Sequence, residues 1–245
     1  MKTLRLILYL LPVIIPGIIS CSKSSDCFTS TGKVIRQTRN IPDFDSIVAE
    51  QNVDIILTQD TLNSVVVEAG EKIINGITTT FQNGHLIITN TNTCNWVRSY
   101  DSPLNVYLHM KNLKNIWYLS AGNITSTNTM YSNSFTLEVW GGCGSINLSL
   151  YVGLDFIYEH MGTADITIKG NAISSSIVSG DFGLLQLKDL QSDYCYVSNT
   201  GSNDCYINVK KYLDASIGSI GNIYYTGNPD TVYSHITGTG QLIHF

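Results

Sequence analysis

The acidic residues are the groups in this chain best able to do chemistry, and a glycoside hydrolase would need two of them facing one cleft. In the C-terminal half they include Asp155, Asp165, Asp181, Asp189, Asp193, Asp204 and Asp214. Asp165 and Asp204 share one position in a repeated phrase but stand two copies apart, about 10 Å in a stack of strands. The others occupy varied registers. A calcium-dependent lyase would also need a basic residue beside its acidic cluster. Arginine occurs only at 5, 36, 39 and 98, and the late cations are Lys169, Lys188, Lys210 and Lys211. His85, His109, His160, His235 and His244 are scattered, and neither CxxC nor HExxH occurs. The expectation is therefore no catalytic residue, no metal site and no cofactor.

Tyrosine offers a different chemistry, that of contact. Tyr206 and Tyr224 hold the same position in neighbouring copies of the phrase, so they should stack about 5 Å apart on an outer face. Tyr194, Tyr196 and Tyr212 lie near them in sequence. An exposed aromatic row among Asn and Ser side chains suits a glycan or protein ligand, and the same row also serves as a stabilising ladder. A second candidate is the polar insert from 90 to 103, which brings Trp96, Arg98 and Tyr100 together on a loop. Its bland alternative is a loop pinned by its own aromatics.

The element that must position these side chains is the phrase itself. It runs small, polar, apolar, any, apolar. Copies begin at Gly122, Gly144, Ala164, Gly183, Asn203, Gly221 and Gly240, in steps of 22, 20, 19, 20, 18 and 19. Two residues on, every copy is apolar: Ile124, Ile146, Ile166, Leu185, Cys205, Ile223 and Leu242. One residue on, six of the seven are polar, with Leu184 the exception. Alternation of period 2 locked to a period near 20 describes strands stacked into coils, each too short to bury its apolar face alone. The leucine-and-asparagine phrase of leucine-rich repeats is absent, so a parallel β-helix fits better.

Upstream, Ser46-Ile-Val-Ala, Val53-Asp-Ile-Ile-Leu-Thr and Val65-Val-Val-Glu read as strands. Residues 77–89 form a hairpin about Asn83-Gly84, the pair that supplies the positive φ angles of a type I′ turn. The expected organisation is a signal peptide over 1–20, a tether over 21–33, an N-terminal β segment over 34–103 and a solenoid over 104–245, with 34–245 one continuous domain.

The start of the chain gives an address. Lys2 and Arg5 precede a short apolar run ending at Ile18-Ile19-Ser20-Cys21, too short to span a bilayer. It looks like a bacterial lipoprotein signal, which would make Cys21 the lipidated N-terminus and the membrane a partner through that lipid. An ordinary secretory signal is the alternative. Of the other cysteines, 27, 94, 143, 195 and 205, at least one must stay free, and no connectivity follows from sequence. Cys205 sits where the phrase otherwise has Ile or Leu, and reads as a small core hydrophobe. A net charge of −5 gives no general attraction to nucleic acid.

Phe44-Asp-Ser-Ile-Val-Ala, Val53-Asp-Ile-Ile-Leu-Thr-Gln, Val65-Val-Val-Glu-Ala and Asn83-Gly-His-Leu-Ile-Ile near the start resemble the opening strands of the putative auto-transporter adhesin head domain, or GIN domain. Leu213-Asp-Ala-Ser-Ile, Gly221-Asn-Ile-Tyr-Tyr-Thr-Gly-Asn-Pro and Thr237-Gly-Thr-Gly-Gln-Leu-Ile resemble its closing coils. The resemblance covers roughly residues 40–245. It departs at Ser219-Ile-Gly, in the 94–100 insert and in the extra cysteines. It implies an all-β fold: a right-handed parallel β-helix-like solenoid of about seven coils, with an N-terminal sheet and hairpin packed on it. It also implies a cell-envelope protein of the Bacteroidetes type, an outer-membrane lipoprotein facing the periplasm or the cell surface, adhesin-like and with no catalytic residues to carry over. A polysaccharide-processing enzyme on the same scaffold and a purely structural envelope protein stand as alternatives.

Overall fold

A computed structural model describes residues 30–93 and 103–245. The signal peptide, Cys21, Cys27, Cys94 and the Trp96, Arg98 and Tyr100 loop lie outside the described residues. The N-terminal strands are β1 (Val34–Arg39), β2 (Ser46–Gln51), β3 (Asp54–Gln59), β4 (Ser64–Gly70), β5 (Ile77–Gln82), β6 (His85–Asn90), β7 (Asn105–Met110), β8 (Asn115–Ser120) and β9 (Ile124–Ser126). Four long strands follow, each bent round corners: β10 (Met130–Gly142), β11 (Ser145–Gly162), β12 (Asp165–Ser179) and β13 (Leu185–Asn199). Then come β14 (Cys205–Ile217), β15 (Ile223–Thr226), β16 (Thr231–Ile236) and β17 (Leu242–His244). Together they make a β-solenoid of about six turns.

One coil shows how sequence sets the shape. In β12, Ile166 and Ile168 point inward on a first face, Ala172 on a second, and Ser175, Ile177 and Ser179 on a third, while residues between them point out. Gly170 turns the first corner at φ +121°, and a Cβ there would lie 1.9 Å from the carbonyl oxygen of Leu150 in the coil beside it. Only glycine fits that bend.

The apolar position of the phrase forms one unbroken column. Successive parallel pairs join Val106 to Ile55, Ile55 to Ile124, and then Ile146, Ile166, Leu185, Cys205, Ile223 and Leu242 in turn. From Val106 to Ile223 each is at most 1% exposed. Full burial of one such aliphatic side chain is worth about 1.5–3 kcal/mol. Val53 and Leu104 thus head two further copies of the phrase. Their order in space is not their order in the chain: β2 and β3 lie between the earlier-stacked β6 and β7 and the later β8 and β9.

The N-terminal end is closed by antiparallel strands. β1 pairs with β4, β4 with β7, and β5 with β6. Asn83 and Gly84 carry φ angles of 53° and 86°, as the I′ hairpin expectation requires. The Arg36 guanidinium binds Glu68 at 2.7 Å across β1 and β4. At the far end no strand among the described residues covers the outer edge of β16, and its Val232 and Ile236 are 41% and 46% exposed.

Candidate groove on the second face

The second face of the solenoid carries an outward row with one residue per coil. Tyr131 pairs with Tyr151, Tyr151 with Asn171, and Asn171 with Gln191, at equal steps of 20 residues. Between them, Val152, Ala172 and Ser192 turn into the core and fix which way the row faces. Asn133, Gly153, Ile173 and Asp193 form a second row at the next corner. The two rows, with Asn112 and with Lys210 from the middle of β14, line an open groove of about 690 Å³.

Tyr131 and Tyr151 are each 58% exposed, with ring centres 5.5 Å apart and planes tilted by 37°. Among the described residues, the side chains of Asn112, Asn133, Asn171, Gln191 and Lys210 make no hydrogen bond or ion pair. The groove's carboxylate, Asp193, binds Lys211 at 2.7 Å. That hydrogen bond holds the Asp193 carboxyl below the usual range and raises the Lys211 ammonium. Lys211 also lies 5.6 Å from the ring centre of Tyr194.

Elsewhere the same residue types are committed to the fold. At the polar position of the phrase, Asp54 Oδ1 accepts the Asn123 N–H at 2.6 Å, Asn123 Oδ1 accepts that of Ser145 at 3.1 Å, Asp204 Oδ1 accepts that of Asn222 at 2.9 Å, and Asn222 Oδ1 accepts that of Gln241 at 2.9 Å. These two short ladders knit coil to coil outside the backbone ladder. Asp181 Oδ2 accepts the Gly162 N–H at 2.8 Å. Glu159, wholly buried, accepts the N–H groups of Gly180, Asp181 and Gly183 at a corner. Asp155 points into the core, where Ser175 donates to its Oδ2 at 2.7 Å and its Oδ1 has no partner. Among the described residues, no group of three or more His, Cys, Asp or Glu side chains is placed to hold a metal ion.

The tyrosines singled out from sequence divide. Tyr206 and Tyr224 stack at 4.8 Å with an interplanar angle of 10°, and Phe245 meets both edge-on at 6.0 and 6.1 Å. Both rings are half-buried, and their facing sides are spent on each other. Tyr196 packs against Tyr212 at 5.6 Å, and Tyr212 against Tyr233 at 5.8 Å, on the third face. Tyr194, 40% exposed, adjoins Asp193 at the rim of the groove. Sequence reading missed Tyr131, Tyr151, Asn171 and Gln191. Their constant spacing of 20 was the available signal, but it joins unlike residue types. Cys143, Cys195 and Cys205 are unbridged, and burial pushes the Cys205 thiol up to about 12.

Residues 43–229 match the family described as "Putative auto-transporter adhesin, head GIN domain". The chain belongs to this family. The GIN-domain match spans the groove and all but the last phrase of the solenoid. Crystal structures with the same fold include a putative adhesin from Bacteroides fragilis NCTC 9343, at 19% identity and a TM-score of 0.79, covering 87% of this chain and 97% of that one. A putative adhesin from Parabacteroides distasonis ATCC 8503 follows at 18% identity and 0.65, covering 87% and 98%. A protein from the same organism titled a putative lipid binding protein aligns at 17% and 0.64, covering 88% and 98%. No curated protein matches the chain. At these identities the structural likeness carries the GIN-domain fold and no ligand.

Proposed function

We propose that this GIN-domain protein is a lipid-anchored, non-catalytic binding module of the cell envelope, and that it holds its ligand in the Tyr131–Gln191 groove. The observation that carries the reading is the groove's set of uncommitted groups. Two exposed tyrosine rings, four amides and an ammonium converge on one open surface, while comparable side chains elsewhere serve the backbone. A pocket of few, well-placed polar groups beside apolar faces is the general form of a binding site. The groove offers one carboxylate, already paired with Lys211, where hydrolysis would need two. Anchoring is supported by the run ending at Ser20-Cys21 and by the family's adhesin-like character. The outer membrane is the expected address.

The full chain and its Tyr131→Ala/Tyr151→Ala variant should be compared on a glycan array and in pull-downs from envelope extracts. Loss of two stacking faces should weaken binding by at least about tenfold. Unchanged binding would remove the groove from consideration. Metabolic labelling with a radioactive fatty acid should mark the wild type and not Cys21→Ser; equal labelling would remove the anchor.

A further inference from the structure

We infer that the groove binds an extended, neutral oligosaccharide lying parallel to the solenoid axis, with one sugar ring on each coil. This rests on the groove being the ligand site, and adds the ligand's class, direction and register.

The groove repeats where a polysaccharide repeats. Its four row positions advance by one strand spacing each, about 4.8 Å along the axis, close to the length of one pyranose residue in a straight chain. Tyr131 and Tyr151, each 58% exposed and with ring centres 5.5 Å apart, supply adjacent aromatic surface for two successive sugars. Asn171 and Gln191 continue the row, and each amide both donates and accepts, as a ring of hydroxyl groups demands. The two ends of the row thus do different work, apolar stacking at the Tyr131 end and hydroxyl pairing at the Gln191 end.

A peptide would be recognised differently. Extended peptides are commonly held by adding a strand to a free sheet edge. Beneath this groove the backbone is already paired from β10 through β13, so no edge is offered. The charge also fits an uncharged chain. Asp193 is paired with Lys211 at 2.7 Å and also feels the charge of Lys210, so the groove's one carboxylate and its one ammonium face each other across the lining.

The test is titration of the full chain with linear β-1,4-linked glucose and N-acetylglucosamine oligomers of one to six residues, beside an array of other linear neutral glycans graded in length. For the series that binds, affinity should climb by at least about tenfold from the two-residue to the four-residue oligomer and then level off. In Asn171→Ala/Gln191→Ala, two exposed positions whose backbone stays paired, the four-residue oligomer should bind no better than the two-residue one. Affinity independent of length, or no graded neutral glycan bound at all, would overturn the inference. If a protein were captured instead and lost in Tyr131→Ala/Tyr151→Ala, the groove would stand as the site and the oligosaccharide would fall. Length-graded binding untouched by the tyrosine variant would sink both.

Discussion

Asp155 is the residue whose environment departs furthest from its type. It occupies an inward position otherwise held by Phe135, Ser175, Cys195 and Leu213, and it is 1% exposed. Burial pushes its carboxyl from 3.8 up to about 7, and the Ser175 hydroxyl offsets only part of this. The sign follows directly. The folded state holds the proton more tightly than the unfolded chain, so the contribution to stability is complete below about pH 4. It declines as pH rises through about 7 and then stays level, a loss of about 4 kcal/mol. Urea denaturation across this range should show Asp155→Asn without that part of the slope, and more stable than the wild type above pH 7. Equal slopes for the two would refute the assignment. No sequence pattern marked Asp155 as buried, because the alternation rule reads a carboxylate as an outward residue. Cys205 was legible for the opposite reason, since a small thiol can stand in an aliphatic column without a partner.

At the scale of the strand, the phrase carries two separate instructions. Its apolar position builds the core column. Its polar position, which from sequence reads only as outward-facing, supplies two short side-chain ladders, Asp54 to Ser145 and Asp204 to Gln241. Asp204→Ala leaves the Asn222 N–H without its side-chain acceptor and should cost about 1 kcal/mol in chemical denaturation. Asp165→Ala is the matched control, since its exposed carboxyl makes no side-chain hydrogen bond among the described residues; equal losses in both would argue against the ladder. The first face was therefore readable almost residue by residue. The second face was not. It is short, lies between two corners, and has no fixed residue type in its outward row. Tyr131, Tyr151, Asn171 and Gln191 are united by register alone, and register appears only once the coils are stacked.

For the whole molecule, the solenoid was legible because its period is local. The place of the N-terminal strands was not, because it depends on pairing across long separations. Val53 and Leu104 begin copies of the phrase, yet they stand 51 residues apart, so no step near 20 reaches Val53. Leu104 lies a regular 18 before Gly122, but the Val53 copy is inserted between the two in space. Chain order runs β2, β3 and only later β6 and β7, whereas spatial order sets β2 and β3 inside the stack.

That interleaving has a mechanical consequence. Under the proposed N-terminal anchor and groove ligand, the module would be loaded in tension from residue 34 onward. β1 is hydrogen-bonded along a single edge, so it should peel from β4 at low force and release about 40 Å of chain up to Asp45. The pull then meets β2 and β3, each clamped along both edges by neighbours from later in the chain. In single-molecule stretching between the two ends, a short early release should be followed by a much stiffer event. A trace of equal, small steps would mean that the coils simply unwind from the tether. The inserted pair acts as a key driven into the stack, turning a weak terminal strand into a fuse ahead of a firm anchorage.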